Sequence, residues 1–124
     1  MTKKSILLVD DCVHNLRLTH FLLKQSGFEV ETAENAAQAL NVLEQVVPDL
    51  ILMDIQLPGM DGLALTRHLR RDFSLRDVPI IAFTASALKG DEEIARAAGC
   101  DGYITKPIDT RTFANLLRKY LVPN

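Results

Sequence analysis

Tryptophan is absent from this chain, cysteine occurs twice, and aromatic residues make up only 6% of it. Two cysteines, Cys12 and Cys100, cannot build a disulfide framework, and they form no CxxC pair. Free thiols in a chain without a secretory signal suit a reducing cytoplasm. The signal is missing because Met1-Thr2-Lys3-Lys4 leads into a short apolar stretch that soon meets Asp10-Asp11. A secretory leader needs a longer apolar run and a small-residue cleavage site. Every apolar run is a handful of residues, far short of the ~20 that span a bilayer, so membrane insertion is excluded. An excess of basic charge is lacking too. Fourteen Lys and Arg stand against sixteen Asp and Glu, a net charge of -2. That leaves no electrostatic footprint for nucleic acid, and direct DNA binding is not expected. Linkers, repeats and low-complexity stretches are also absent. What remains is 124 residues, 48% of them hydrophobic. This is one domain, residues 1–124, long enough to bury a full core without staples.

The punctuation is short and regular. Ile6-Leu7-Leu8-Val9 is a continuous apolar run ending in two acids and reads as a buried strand. A helix from about His14 to Ser26 follows, stopped by Gly27. Phe28 to Thr32 alternates apolar and polar, as a half-exposed strand does. Ala36, Leu40, Leu43 and Val47 step by helical intervals along one face, and Pro48 ends that helix. Leu50-Ile51-Leu52-Met53 is a second apolar run, ending at Asp54, before the turn cluster Pro58 to Gly62. A third helix runs to about Arg71, with Leu65 and Leu69 four apart. Val78 to Phe83 is a third apolar run, ending at Thr84. A helix over about Gly90 to Ala98 is stopped by Gly99, and Gly102 to Thr105 is a short strand before Lys106-Pro107. Asp109 or Thr110 then caps a last helix whose stripe is Phe113, Leu116, Leu117, Tyr120 and Leu121. Five strand–helix alternations predict an α/β fold, a parallel sheet covered on both faces. Strands one, three and four are wholly apolar and so central, whereas two and five are mixed and suit edges. The expected order is the doubly wound, flavodoxin-like 2-1-3-4-5.

In such sheets ligands sit at the carboxyl ends of the strands. There strand one delivers Asp10 and Asp11, strand three Asp54, strand four Thr84 and strand five Lys106. Carboxylates ~4 Å apart repel by about 4 kcal/mol at an effective dielectric near 20, so three together must raise a pKa or recruit a cation. A hard divalent ion fits, Mg²⁺ or Mn²⁺, which takes carboxylates, waters and phosphate oxygens. Zinc does not, for want of a Cys/His cluster. Lys106 can pair with a phosphate and Thr84 can donate a hydrogen bond to it. A carboxylate can serve as the nucleophile that becomes an aspartyl-phosphate.

Asp10-Asp11, the run Leu52-Met53-Asp54-Ile55-Gln56-Leu57-Pro58-Gly59-Met60-Asp61-Gly62, Thr84-Ala85 and Lys106-Pro107 resemble the motifs of the response regulator receiver domain, the chemotaxis-regulator-like family of two-component systems. The resemblance runs from about Lys4 to Leu121, and the stretch Ala87 to Glu93 looks similar to single-domain cell-cycle regulators and to receivers of hybrid kinases. It implies that Asp54 accepts a phosphoryl group from a phosphohistidine on a sensor histidine kinase or histidine phosphotransfer protein. Asp11, Asp54 and the Gln56 carbonyl would hold the metal, with Asp10 acting through a metal-bound water. Thr84, Lys106 and the Ala85 amide would bind phosphoryl oxygens, and Tyr103 would be the switch aromatic. The Lys106–Pro107 bond would be cis, which an X-Pro bond tolerates. Gln56 and Ser86 stand where the family varies and tunes adduct lifetime. The downstream protein target would be met by helix 4, strand 5 and helix 5, with no output domain attached and a cytoplasmic setting.

Plainer readings stand beside these. Taken singly, Asp10, Asp11 and Asp54 suit helix caps, Thr84 a strand, Lys106 a solvated surface and Tyr103 simple packing. His14, His20 and His68 show no paired spacing and read as surface residues. Cys12 and Cys100 read as buried, inert thiols, with a redox role for Cys12 the minor alternative. Arg67, Arg70, Arg71 and Arg76 read as a solvated face. Competing functions are an excised receiver of a hybrid histidine kinase, a phosphorylation-independent binding module, an aspartyl-phosphate phosphatase and a flavin carrier. The phosphatase would need an acid where Gln56 stands, and the acids after strand one would repel a flavin phosphate.

Overall fold

A run of four apolar residues can be buried throughout only when both faces of its strand are covered. In the computed structural model this is what happens to three such runs. The structure describes residues 3–55, 62–84, 90–106 and 109–121. In chain order the elements are β1 (Ser5–Val9), α1 (Val13–Gln25), β2 (Glu29–Ala33), α2 (Ala36–Gln45), β3 (Leu50–Met53), α3 (Gly62–Arg70), a 3₁₀ turn (Phe73–Leu75), β4 (Ile80–Thr84), α4 (Asp91–Ala98), β5 (Gly102–Thr105) and α5 (Phe113–Arg118). The five strands are parallel in the order β2-β1-β3-β4-β5, as the pattern of apolar and mixed strands predicts.

Strand alternation divides the core in two. Leu7 and Val9, Ile51 and Met53, and Ile80 and Ala82 pack under α2, α3 and α4, with Leu65, Leu69 and Ala95 opposite them. Ile6 and Leu8, Leu50 and Leu52, and Ile81 and Phe83 pack on the other face, against Leu16 and Leu23 of α1 and Phe113 and Leu117 of α5. The edge strand β2 is mostly exposed, with only Ala33 fully buried. Glycines stop two helices as expected: Gly27 has φ 95° and Gly99 φ 118°, the left-handed region that L side chains avoid.

Three local expectations are corrected. The seam of α2 is made by Ala36 and Ala39, whereas Leu40 and Leu43 are half-buried and Val47 is exposed. Alanine lets the helix approach the sheet, and the larger side chains reach in from its flanks. The helix ends at Gln45, and Val46 is already extended, so Val47 leaves the helical face ahead of Pro48. At α5, the N-cap is Thr112, two or three residues later than the sequence suggests; the Asp109 carboxylate instead accepts from the Arg111 amide at 3.0 Å. Tyr120 and Leu121 lie past the helix and still pack, partly buried, on the α1/α5 cluster. Lastly, Arg70 is no solvated charge. Its guanidinium donates to the carbonyls of Gly99, Leu75, Arg76 and Val78 and pairs with Asp101, tying α3, the 3₁₀ turn and the α4–β5 connection together.

Candidate functional site

Backbone hydrogen bonds continue past the ends of the strands and fix the residues that follow. The Asp10 amide donates to Ala33 O at 3.0 Å, Asp54 N to Val9 O at 2.9 Å and Lys106 N to Thr84 O at 2.8 Å. Val9 pairs with Met53 in the β1–β3 register, so Asp10 and Asp54 leave the sheet side by side. Neighbouring strands lie about 4.7–4.9 Å apart, which sets the carboxylate spacing. One oxygen each from Asp10, Asp11 and Asp54 lie within 4.8 Å of one another. Asp10 is fully buried, Asp54 is 7% exposed and Asp11 faces solvent.

Lys106 closes the cluster from β5. Its Nζ donates to Asp10 Oδ2 at 2.6 Å and to Asp54 Oδ2 at 3.3 Å. Burial works against its charge, but the hydrogen bond to Asp10 and the charges of Asp54 and Asp10 outweigh it, holding the ammonium pKa above the ordinary 10.5. The second oxygen of Asp10 accepts the Cys12 amide at 2.9 Å, so the acid orients itself on the turn into α1. Thr84 is fully buried at the end of β4. Tyr103 is half-buried on the α2–α4 face of the sheet. Burial, then the nearby acids Asp91 and Glu92, raise its pKa above the usual 10.0.

The structure therefore brings Asp10, Asp11, Asp54 and Lys106 into one group and sets Thr84 at the same sheet edge. Gln56, Ala85, Ser86 and Pro107 lie outside the described residues, and with them the Gln56 carbonyl, the Ala85 amide and the Lys106–Pro107 bond. Cys12 is exposed, contrary to the reading of both thiols as buried, because it stands at the N-cap of α1 where the chain turns outward. Cys100 is buried beside Thr66, and desolvation pushes its thiol pKa up. His14 and His68 are exposed.

Two residues near the site were not legible as such. Gly62 opens α3 against the backbone of the residue after β3: a Cβ there would meet Asp54 O and stand 2.6 Å from Ile55 Cα. The turn cluster Pro58 to Gly62 hinted at a tight passage, though not at which glycine needs it. Phe83 lies under the ammonium of Lys106, with Nζ 5.0 Å from the ring centroid, and nothing in a strand pattern marks such a contact.

Chemically, three oxygen donors at this spacing suit a hard divalent cation that shares its ligand shell with water and phosphate oxygens. A fixed ammonium beside them can offset charge on a transferring phosphoryl group. Residues 6–118 match the sequence profile of the response regulator receiver domain. The chain is 45% identical over 118 residues to the polar-differentiation response regulator DivK of Brucella anthropi, covering 95% of this chain and 96% of that protein. The chemotaxis response regulator CheY4 of Vibrio cholerae superposes with a TM-score of 0.91 at 27% identity, over 97% of this chain and 100% of that one. The receiver domain of the sensor histidine kinase PA1611 from Pseudomonas aeruginosa, solved with a magnesium ion coordinated in its active-site cleft, gives a TM-score of 0.88 at 36% identity, over 97% and 98% of the two chains.

Proposed function

The chain belongs to the response regulator receiver domain family of two-component systems, and on that premise we propose that Asp54 is its phosphoacceptor. The observation that carries this is the pairing of Asp54 with Lys106 beside Asp10 and Asp11 at the carboxyl edge of the sheet. An Asp54 carboxylate oxygen attacks the phosphorus of a phosphohistidine on a sensor kinase or phosphotransfer protein. The O–P bond forms as the N–P bond breaks, and the imidazole leaves and takes up a proton from solvent. Lys106, already cationic and held between the acids, turns to the incoming phosphoryl oxygens. Thr84 donates its hydroxyl to the same group. By resemblance the Ala85 amide assists, and Tyr103 follows Thr84.

Asp11, Asp54 and the Gln56 carbonyl would hold Mg²⁺ or Mn²⁺, with Asp10 reaching it through water. When bound, the cation neutralises the crowded carboxylates and offsets charge on the phosphoryl group. Its fit rests on the three carboxylate oxygens gathered within 4.8 Å. The chain is a signalling domain that turns over its own adduct only. Gln56 stands where an aspartyl-phosphate phosphatase needs an acid, and Gln cannot exchange a proton at neutral pH. The signal leaves through α4, β5 and α5 to a protein target, in the cytoplasm. Among the described residues no helix is long and apolar enough to cross a membrane.

The test is direct. With Mg²⁺ and acetyl phosphate the wild type gains an acid-stable, base-labile phosphoryl adduct of one group per chain, and Asp54→Asn does not. Labelling of Asp54→Asn at the wild-type rate would overturn the assignment.

A further inference from the structure

The side-chain alternation that splits the core also splits the site. Thr84 continues the alternation of Ile80 and Ala82, whose cluster lies under α2–α4, and Tyr103 packs on that same cluster. Lys106 continues the alternation of Ile104, which belongs to the opposite cluster together with Phe83 and Phe113. The contacts on this second side are continuous. Lys106 Nζ lies 3.3 Å from Asp54 Oδ2 and 5.0 Å from the centroid of the Phe83 ring. Phe83 is 2% exposed and stacks on Phe113, with centroids 5.7 Å apart and an interplanar angle of 29°. Phe113 is the first residue of α5 and is itself buried. An uninterrupted path of side chains thus leads from Asp54 to the start of α5.

We propose that Phe83 and Phe113 form an aromatic linkage through which the position of the Lys106 ammonium is transmitted to α5, separately from Thr84 and Tyr103. The inference rests on the phosphoacceptor reading of Asp54. A cation is attracted to the face of a ring, and the attraction depends on where it sits over that face. In the present arrangement the ammonium is shared between two carboxylates and the ring. A phosphoryl group on Asp54 adds anionic oxygens on the solvent side, and the ammonium is drawn to them. Phe83 then loses or follows its cation. Because a packed interior has no slack to absorb the change, the stacked Phe113 moves with it. Phe83 is therefore a positioning residue that touches the charge of the site from beneath. An aliphatic residue there fills space but has no ring face to offer.

Beryllofluoride with Mg²⁺, a phosphoryl mimic, tests this on the full chain. Ring resonances of Phe113 and Tyr103 and the ε-methylene resonance of Lys106 are followed by NMR as the mimic is added. In the wild type all three shift together. In Phe83→Leu the Tyr103 shift persists and the Phe113 shift is lost. Phe83→Met serves the same purpose if the leucine variant does not fold, and thermal melts establish which variants are folded. A Phe113 ring that stays silent in the wild type while Tyr103 responds overturns the linkage and leaves the phosphoacceptor reading standing. A Phe113 shift undiminished in the Phe83 variants overturns it equally. If neither aromatic residue nor Lys106 responds to the mimic, both readings fail.

Discussion

Replacing Lys106 with methionine keeps a flexible stem and removes one charge from between two buried acids. The Lys106 side chain is 12% exposed, against 1% for Asp10 and 9% for Asp54. Breaking a buried ion pair by removing one partner costs about 3–5 kcal/mol, because the other charge is left uncompensated. Asp10 keeps its bond from the Cys12 amide, and Asp54 keeps some solvent, so the lower end applies. Lys106→Met is expected to lose about 3 kcal/mol, which for a domain of this size lowers the melting temperature by roughly 10 °C. The assay is urea unfolding at pH 7 in EDTA, comparing midpoints at constant m-value. The double variant Asp10→Asn/Lys106→Met should be about 1–3 kcal/mol less destabilised than the sum of the two single variants, the coupling energy of the pair. Stability also depends on pH through this residue. Its folded pKa is raised above the ordinary 10.5, so its contribution is complete below 10.5 and is lost as the pH climbs through the folded value. The alkaline fall in stability should therefore be shallower in Lys106→Met than in the wild type. A loss below about 0.5 kcal/mol, the range of an ordinary surface substitution, would refute the view that these acids depend on Lys106.

Gly62→Ala forces a Cβ against the Asp54 carbonyl and Ile55 Cα. It should cost about 1–3 kcal/mol in urea unfolding and slow labelling by acetyl phosphate, since the backbone of Asp54 is what must yield. Arg70→Ala removes the ties to four carbonyls and Asp101, and should cost about 2–4 kcal/mol while Asp54 still labels, because that network lies at the opposite end of the sheet. Arg70→Lys should recover little, as an ammonium cannot replace the planar fork. A thiol reagent at pH 8 should modify Cys12 alone in the native protein and both thiols in urea. Cys100 is buried with its thiol pKa raised, and equal native rates at both positions would contradict that.

How much of this could be read without the fold differs by residue. The strand order was legible because burial on both faces leaves a mark in one dimension: a run such as Leu50 to Met53 with no polar residue. The members of the acidic site were legible because parallel strands deliver their last residues to one edge. The α2 seam was not, because helical spacing does not tell whether Leu40 or Ala39 faces the sheet when the helix sits close to it. The exposure of Cys12 and the ties made by Arg70 depend on where the chain turns, and residue type alone carries no such information.

The sequence by itself determined the layered α/β architecture, the order of its strands and the set of acids, hydroxyl and ammonium gathered at one sheet edge, since periodicity and strand-end position are local properties. Only the tertiary structure decided that Lys106 lies 2.6 Å from Asp10 and 3.3 Å from Asp54, that α3 begins where nothing larger than glycine fits, and that an aromatic pair underlies the ammonium. Those are distances between residues as many as 96 positions apart in the chain. They are set by how the two halves of the core pack across the sheet, which no run of neighbouring residues records.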